Sequence, residues 1–246
     1  MSARTILIGA VLVVAVAACG GTEASRQVVV SAASSLVDVF GAIERSFEEA
    51  HPDVDVVLNV GASSTLREQI LAGAPVDVYA SADLANMAAV ADAGLVEGRS
   101  VVFARNRLQI AVPAGNPARV EGLADLDRAE LLLGVCDPAV PCGVLAEQVF
   151  AAAGLEPSVD TWEPNVRALL TKLRDGELDA GVVYVTDVVA ASGEVEGIDI
   201  PVAVTTSYPI AVLTGASEPD LARAFVEWVL SDEGRAVLDR FGFEVP

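Results

Sequence analysis

Two serine-rich segments, SAASSLVDVF at 31 to 40 and GASSTLREQI at 61 to 70, each follow a run that reads as a buried strand and each open what reads as a helix. A helix N-terminus carries unpaired backbone N–H groups and the positive end of the helix dipole. Serine adds neutral hydroxyl donors. Two such junctions together can hold an oxyanion without a lysine or arginine.

The elements around them alternate between helical and strand patterns, which predicts an α/β fold with mainly parallel sheets. Val28 to Val30 is a short β-branched strand; Leu36, Phe40, Ile43 and Phe47 recur at helical spacing; HPDVDVVLNV returns as a strand. Strands follow at 76–81 and 108–113, with a helix around Met87 to Ala93 between them. A second block reads strand 130–135, helix 144–154, helix 166–176 and strand 180–185. The 166 helix is well punctuated, with Pro164 and Asn165 before it, Val166, Leu169, Leu170 and Leu173 on one face, and Gly176 after it. A strand at 209–213 precedes two closing helices, Pro219 to Leu230 and Asp232 to Arg240. No flexible linker divides the body, so two α/β lobes joined by crossing strands are expected, residues 28–107 with 206–246 and residues 108–205, with a ligand cleft between them.

Residues 1–18 read as a processing segment. Arg4 supplies the positive end, Ile6 to Ala18 the apolar stretch, and small residues precede Cys19. The apolar run falls short of the ~20 residues a spanning helix needs. Cleavage before Cys19 and acylation of its thiol would leave a lipid-anchored, extracytoplasmic protein, with 19–27 as a flexible tether. The chain carries 15 basic against 35 acidic residues, a net charge of −20. Its long-range field repels phosphate, which argues against nucleic acid and anionic membrane as partners. Cys136 and Cys142 can pair in an oxidising compartment, closing a short loop. Two thiols and the lone His51 do not make a zinc site; His51 itself reads as a solvated turn residue.

Laid out in order, AASSL (32–36), ASSTLREQILAGAPVDVYASAD (62–83), DP and PCG around 137–143, NVRALL (165–170), VVYVTD (182–187), YPIAVL (208–213) and LSDEGRAVLDRFGF (230–243) resemble the periplasmic molybdate-binding proteins of ABC importers. The resemblance covers residues 28 to 246. It implies a type II periplasmic-binding-protein fold, two hinged lobes, and a tetrahedral oxyanion in the cleft. Carried over position by position, it implies that Ser35 and Ser63 bind through hydroxyl and backbone N–H, Cys142 and Val166 through backbone N–H, and Tyr184 through its phenol. Ser34 and Ser64 stand behind them as candidates, then Thr65, with Asp187 as a cap or hinge partner. The proposed set has no carboxylate, so it suits a fully ionised molybdate or tungstate better than a phosphate that still carries a proton. The expected protein is a monomer with no cofactor and no catalytic role. It would deliver its ligand to a membrane permease driven by a cytoplasmic ATPase.

Three other readings share some of these features. A sulfate- or thiosulfate-binding protein would look almost the same in sequence. A serine hydrolase lacks a GxSxG elbow here and has only His51 as a histidine base. A transcription-regulator effector domain would lack the lipoprotein signal and carry an N-terminal helix-turn-helix.

Overall fold

A computed structural model of the chain describes residues 26–246. The signal segment, Cys19 and most of the tether lie outside the described residues. Arg26 and Gln27, assigned to the tether from sequence, instead begin the first strand. There Arg26 pairs in register with Val54 and forms an ion pair with Glu218, and the Gln27 amide donates to Asp55.

The first half of the molecule is built on β1 (Arg26–Ala33), β2 (Val54–Gly61) and β3 (Val78–Ala80), with β1 parallel to both neighbours. The crossing strands β4 (Val101–Pro113) and β9 (Thr205–Val212) run antiparallel to each other. The N-terminal part of β4 pairs with β9, and its C-terminal part pairs with β7 (Ala180–Tyr184) and β8 (Val195–Asp199) of the second half. β7 continues to β5 (Leu133–Cys136) and then to the edge strand β6 (Thr161–Glu163), both pairings parallel. The sheet is therefore mixed rather than mainly parallel. The expectation failed because a strand-and-helix periodicity carries no information about strand direction, and the crossing strands oppose their neighbours.

Among the described residues eight α-helices cover the sheet: α1 (Val37–Ala50), α2 (Ser63–Leu71), α3 (Leu84–Asp92), α4 (Pro141–Ala153), α5 (Val166–Arg174), α6 (Val185–Ala190), α7 (Pro219–Leu230) and α8 (Asp232–Arg240). Phe40, Ile43 and Phe47 of α1 bury against Phe103, Tyr208, Phe225 and Leu238 to form the first core. Leu36 is as deeply buried but belongs to a 3-10 turn over Ser34–Leu36 that precedes the helix. A second core gathers Leu133, Val149, Leu169, Leu173 and Val182. Pro209 sits inside β9 opposite the register shift between Val102 and Ala104, the kind of irregularity that lets a proline occupy a strand. No helix among the described residues is long and apolar enough to cross a membrane.

Candidate functional site

The carboxyl ends of strands from both halves meet at one small cavity of about 10 Å³, far below the ~300–1,000 Å³ typical of drug-sized ligands. Five chain reversals supply its wall. β1 ends in the turn bearing Ser34 and Ser35; β2 ends at Ala62 and Ser63 of α2; β5 leads to Val140, Pro141 and Cys142 of α4; β6 leads to Asn165 and Val166 of α5; β7 ends at Tyr184. Ala33 and Ala82 complete it. Ligands of open α/β sheets collect at such strand ends. None of these twelve lining residues is Asp, Glu, Lys, Arg or His, so the wall presents neutral polar groups and apolar surface, with no ionised side chain.

Five residues inferred from sequence, Ser35, Ser63, Cys142, Val166 and Tyr184, thus line a single cavity, with Ser34 beside them. Ser64 and Thr65 are not among the lining residues: on a helix their side chains point away from the face that Ser63 presents. Neither leading serine is a helix cap. The N-cap of α2 is Ala62, and the Ser63 hydroxyl accepts from the Ala82 N–H at 2.9 Å. The Ser35 hydroxyl instead meets the Tyr208 hydroxyl at 2.9 Å.

The other donors are placed by local chemistry. The Asn165 carboxamide oxygen accepts from the N–H groups of Arg167 and Ala168, both at 3.0 Å, which leaves the Val166 N–H as the first-turn donor outside the cap. Pro141 occupies the first turn of α4, where a missing N–H costs nothing. Cys142 follows it and is bonded to Cys136, with Cα atoms 5.7 Å apart. The next residue must be glycine, because a Cβ at Gly143 would lie 2.0 Å from the Asp137 carbonyl oxygen. The disulfide closes a loop of only a few residues, for which the chain-entropy contribution is about 2 kcal/mol. Reducing it should lower the melting temperature by roughly 4–8 °C without unfolding the protein at room temperature, readable by calorimetry with and without a thiol reductant.

Tyr184 is 1% exposed and its hydroxyl has no hydrogen-bond partner. Burial holds its phenol well above the usual tyrosine range, so it remains a proton donor. An unpartnered buried polar group costs roughly 1–3 kcal/mol, and here it lies in the cavity wall.

One ionic contact ties the two sides beside the cavity. Arg167 of α5 donates to Asp38 of α1 at 2.7 Å, and its guanidinium lies 3.8 Å from Asp187. Asp187 caps α6 by accepting from the Tyr184 N–H at 3.1 Å, while its other oxygen is buried and unpartnered. Burial pushes its carboxyl up to about 7, with Arg167 acting in the opposite sense. The folded protein therefore keeps a proton that an unfolded chain has already released. Stability should fall as pH rises from about 4 to about 7 and level off above that. In Asp187→Asn this part of the slope should vanish, as melting temperatures of both proteins across pH 4–8 would reveal.

His51 is not a plain solvated turn residue. It is half-buried, its Nδ1 lies 2.8 Å from the Phe47 carbonyl oxygen, and its ring packs against Phe47 and Trp228. It also precedes β2, at the far end of that strand from Ser63. Sequence reasoning missed Tyr208, Arg167 and Asp38 as neighbours of the site. YPIAVL marked Tyr208 only as part of a pattern, and its contact with Ser35 spans 173 positions.

A sequence profile of the bacterial extracellular solute-binding proteins matches residues 28–244. The chain is 39% identical to the molybdate-binding protein ModA of Mycobacterium tuberculosis, with 98% of this chain and 97% of that protein aligned. Among solved structures, a chain from Clostridium difficile, provisionally named as the substrate-binding domain of a molybdenum ABC transporter, superposes with a TM-score of 0.69 at 25% identity, over 90% of this chain and all of that one. The periplasmic molybdate-binding protein of Azotobacter vinelandii gives 0.77 at 20% identity, over 89% and 99%. These neighbours share the two-lobed periplasmic-binding-protein fold.

Proposed function

The chain belongs to the bacterial extracellular solute-binding proteins, alongside the molybdate-binding ModA proteins, and on that premise we propose that it binds molybdate, and tungstate with it, and delivers the anion to an ABC importer. Ser35 and Ser63 donate through their hydroxyls, Cys142 and Val166 through backbone N–H groups, and Tyr184 through its phenol. The observation that carries this reading is the Tyr184 hydroxyl, buried and unpartnered in the wall of a cavity with no ionised group. A fully ionised tetrahedral anion satisfies such a wall, and a smaller one leaves some of the donors unpaired.

Both halves of the sheet supply donors, so only a closed cleft satisfies the anion. The ligand shifts the population toward closure by its differential affinity for that state. Residues 28–107 with 206–246 form one moving lobe and residues 108–205 the other, with β4 and β9 as the hinge and the Arg167–Asp38 pair as a contact made on closure. Cys19 carries the lipid that keeps the protein at the outer face of the membrane, where it works as a monomer and without catalysis. Its partner is a permease driven by a cytoplasmic ATPase.

The test is calorimetric titration with molybdate, tungstate, sulfate and phosphate at matched ionic strength. Tight one-to-one binding of the first two, with little heat from the others, is expected. Preference for sulfate or phosphate, or no binding at all, would refute the ligand assignment.

A further inference from the structure

Two of the three serines that line the cavity, Ser35 and Ser63, are each backed by a hydrogen-bonding group on the side away from it, and the backing bears on which way their own protons point. Behind Ser63 stands the Ala82 N–H, 2.9 Å from the hydroxyl oxygen, a group that can only donate. Ala82 is itself fixed from the other side, since its carbonyl accepts from the Thr206 hydroxyl at 2.6 Å. Behind Ser35 stands the hydroxyl of Tyr208, a residue with no exposed surface. Its ring is held edge-on against Phe103, Tyr184 and Phe243. Ser35 is the well-aligned hydrogen-bond partner of the Tyr208 hydroxyl, and the Asn106 carboxamide and the Tyr184 hydroxyl lie near it. If Ser35 donated to Tyr208, the tyrosine proton would have to leave its aligned acceptor for the Tyr184 hydroxyl, which meets no partner in good geometry; if Tyr208 donates, every proton in the chain has an acceptor once an anion is bound.

We propose that Tyr208 is a positioning residue for anion recognition: by donating to the Ser35 oxygen it turns the Ser35 proton toward the ligand and makes that serine, like Ser63, a one-way donor. The proposal rests on the oxyanion-binding reading above and names the determinant of its selectivity. Tyr208 touches no ligand; it acts through Ser35. A chain of hydroxyls oriented in one sense also strengthens its last link, because each bond polarises the next. An oxyanion that still carries a proton, such as hydrogen phosphate, needs a group in the wall that accepts. Ser35 has a second lone pair to accept with, but using it turns its own proton away from the anion: that proton is then left without an acceptor or, if it goes to Tyr208, the Tyr208 proton is. The site therefore sorts anions of equal charge by protonation as well as by size.

The experiment titrates the wild-type protein, Tyr208→Phe, Ser35→Ala and the double variant with molybdate and with phosphate at pH 8, where both anions are mostly dianions. Tyr208→Phe keeps the packed ring and removes only the hydroxyl. Expected are a molybdate affinity about 10-fold lower in Tyr208→Phe, about 100-fold lower in Ser35→Ala, and no lower in the double variant than in Ser35→Ala. The preference for molybdate over phosphate should shrink at least tenfold in Tyr208→Phe. A residue that merely packs would give additive losses and an unchanged preference, and either result would overturn the proposal. If Tyr208→Phe does not fold, 3-fluorotyrosine introduced at position 208, whose hydroxyl is a stronger donor, should raise molybdate affinity; an equal or lower affinity would overturn it. Failure of the wild-type protein to bind molybdate would instead overturn the oxyanion reading itself, whereas molybdate binding with additive variants removes only the role of Tyr208.

Discussion

Replacing Ser35 or Ser63 with alanine should weaken molybdate binding about 100-fold, because each change removes a hydrogen bond to a dianion in a site with few others. The two variants should nevertheless differ. Ser35→Ala strands the Tyr208 proton, whereas Ser63→Ala strands the Ala82 N–H two residues past β3, next to the Thr206 contact that ties that segment to β9. The second loss disturbs main chain rather than a side chain, so Ser63→Ala should melt a few degrees below Ser35→Ala while both keep the native fold. Titration calorimetry of the two proteins, paired with their melting curves, checks both statements. Unaltered affinity in either would remove that serine from the site.

Gly143→Ala should be the more damaging change of a single methyl group. Its Cβ would meet the Asp137 carbonyl oxygen at 2.0 Å, its carbon at 2.5 Å and the Cys136 oxygen at 2.7 Å, all of them backbone. Overpacking of this kind costs about 1–3 kcal/mol where neighbours can shift. Here they are held, because the Cys136–Cys142 bond closes the loop that would have to move. The expected outcome is a stability loss of about 3 kcal/mol or more and a molybdate affinity lower by over 100-fold, since any escape displaces the Cys142 N–H. Cutting the disulfide should recover part of both losses. Melting curves and titrations of Gly143→Ala, oxidised and reduced, provide the comparison.

Much of this arrangement could be read in the chain itself. The closing helices occupy the residues that their amphipathic pattern marked, and α5 has the cap, apolar face and stop that Asn165, Leu169 and Gly176 announced. The elements that escaped share a reason. The first part of β4 contains Arg105, Asn106 and Arg107, and β9 opens with Thr205, Thr206 and Ser207, so neither shows apolar alternation. Their pairing with each other makes them strands. α4 begins at Pro141, three residues before Val144 where the sequence pattern turns helical, because Pro-Cys-Gly reads as a loop although proline is at home in a first helical turn. Ser35 and Ser63 were found from local sequence; the donors behind them come from β9 and the segment just past β3, and no local pattern points to such distant partners.

The absence of any acidic or basic side chain from the cavity wall has a kinetic corollary. Fixed dipoles in a closed cleft are shielded from mobile ions, so dissolved salt has little purchase on the bound anion. The surface is another matter. With a net charge of −20 it repels an approaching dianion, and salt screens that repulsion. Raising the ionic strength therefore quickens capture while leaving the hold on the captured ion nearly unchanged, the reverse of the behaviour of a protein that steers its ligand in with charge.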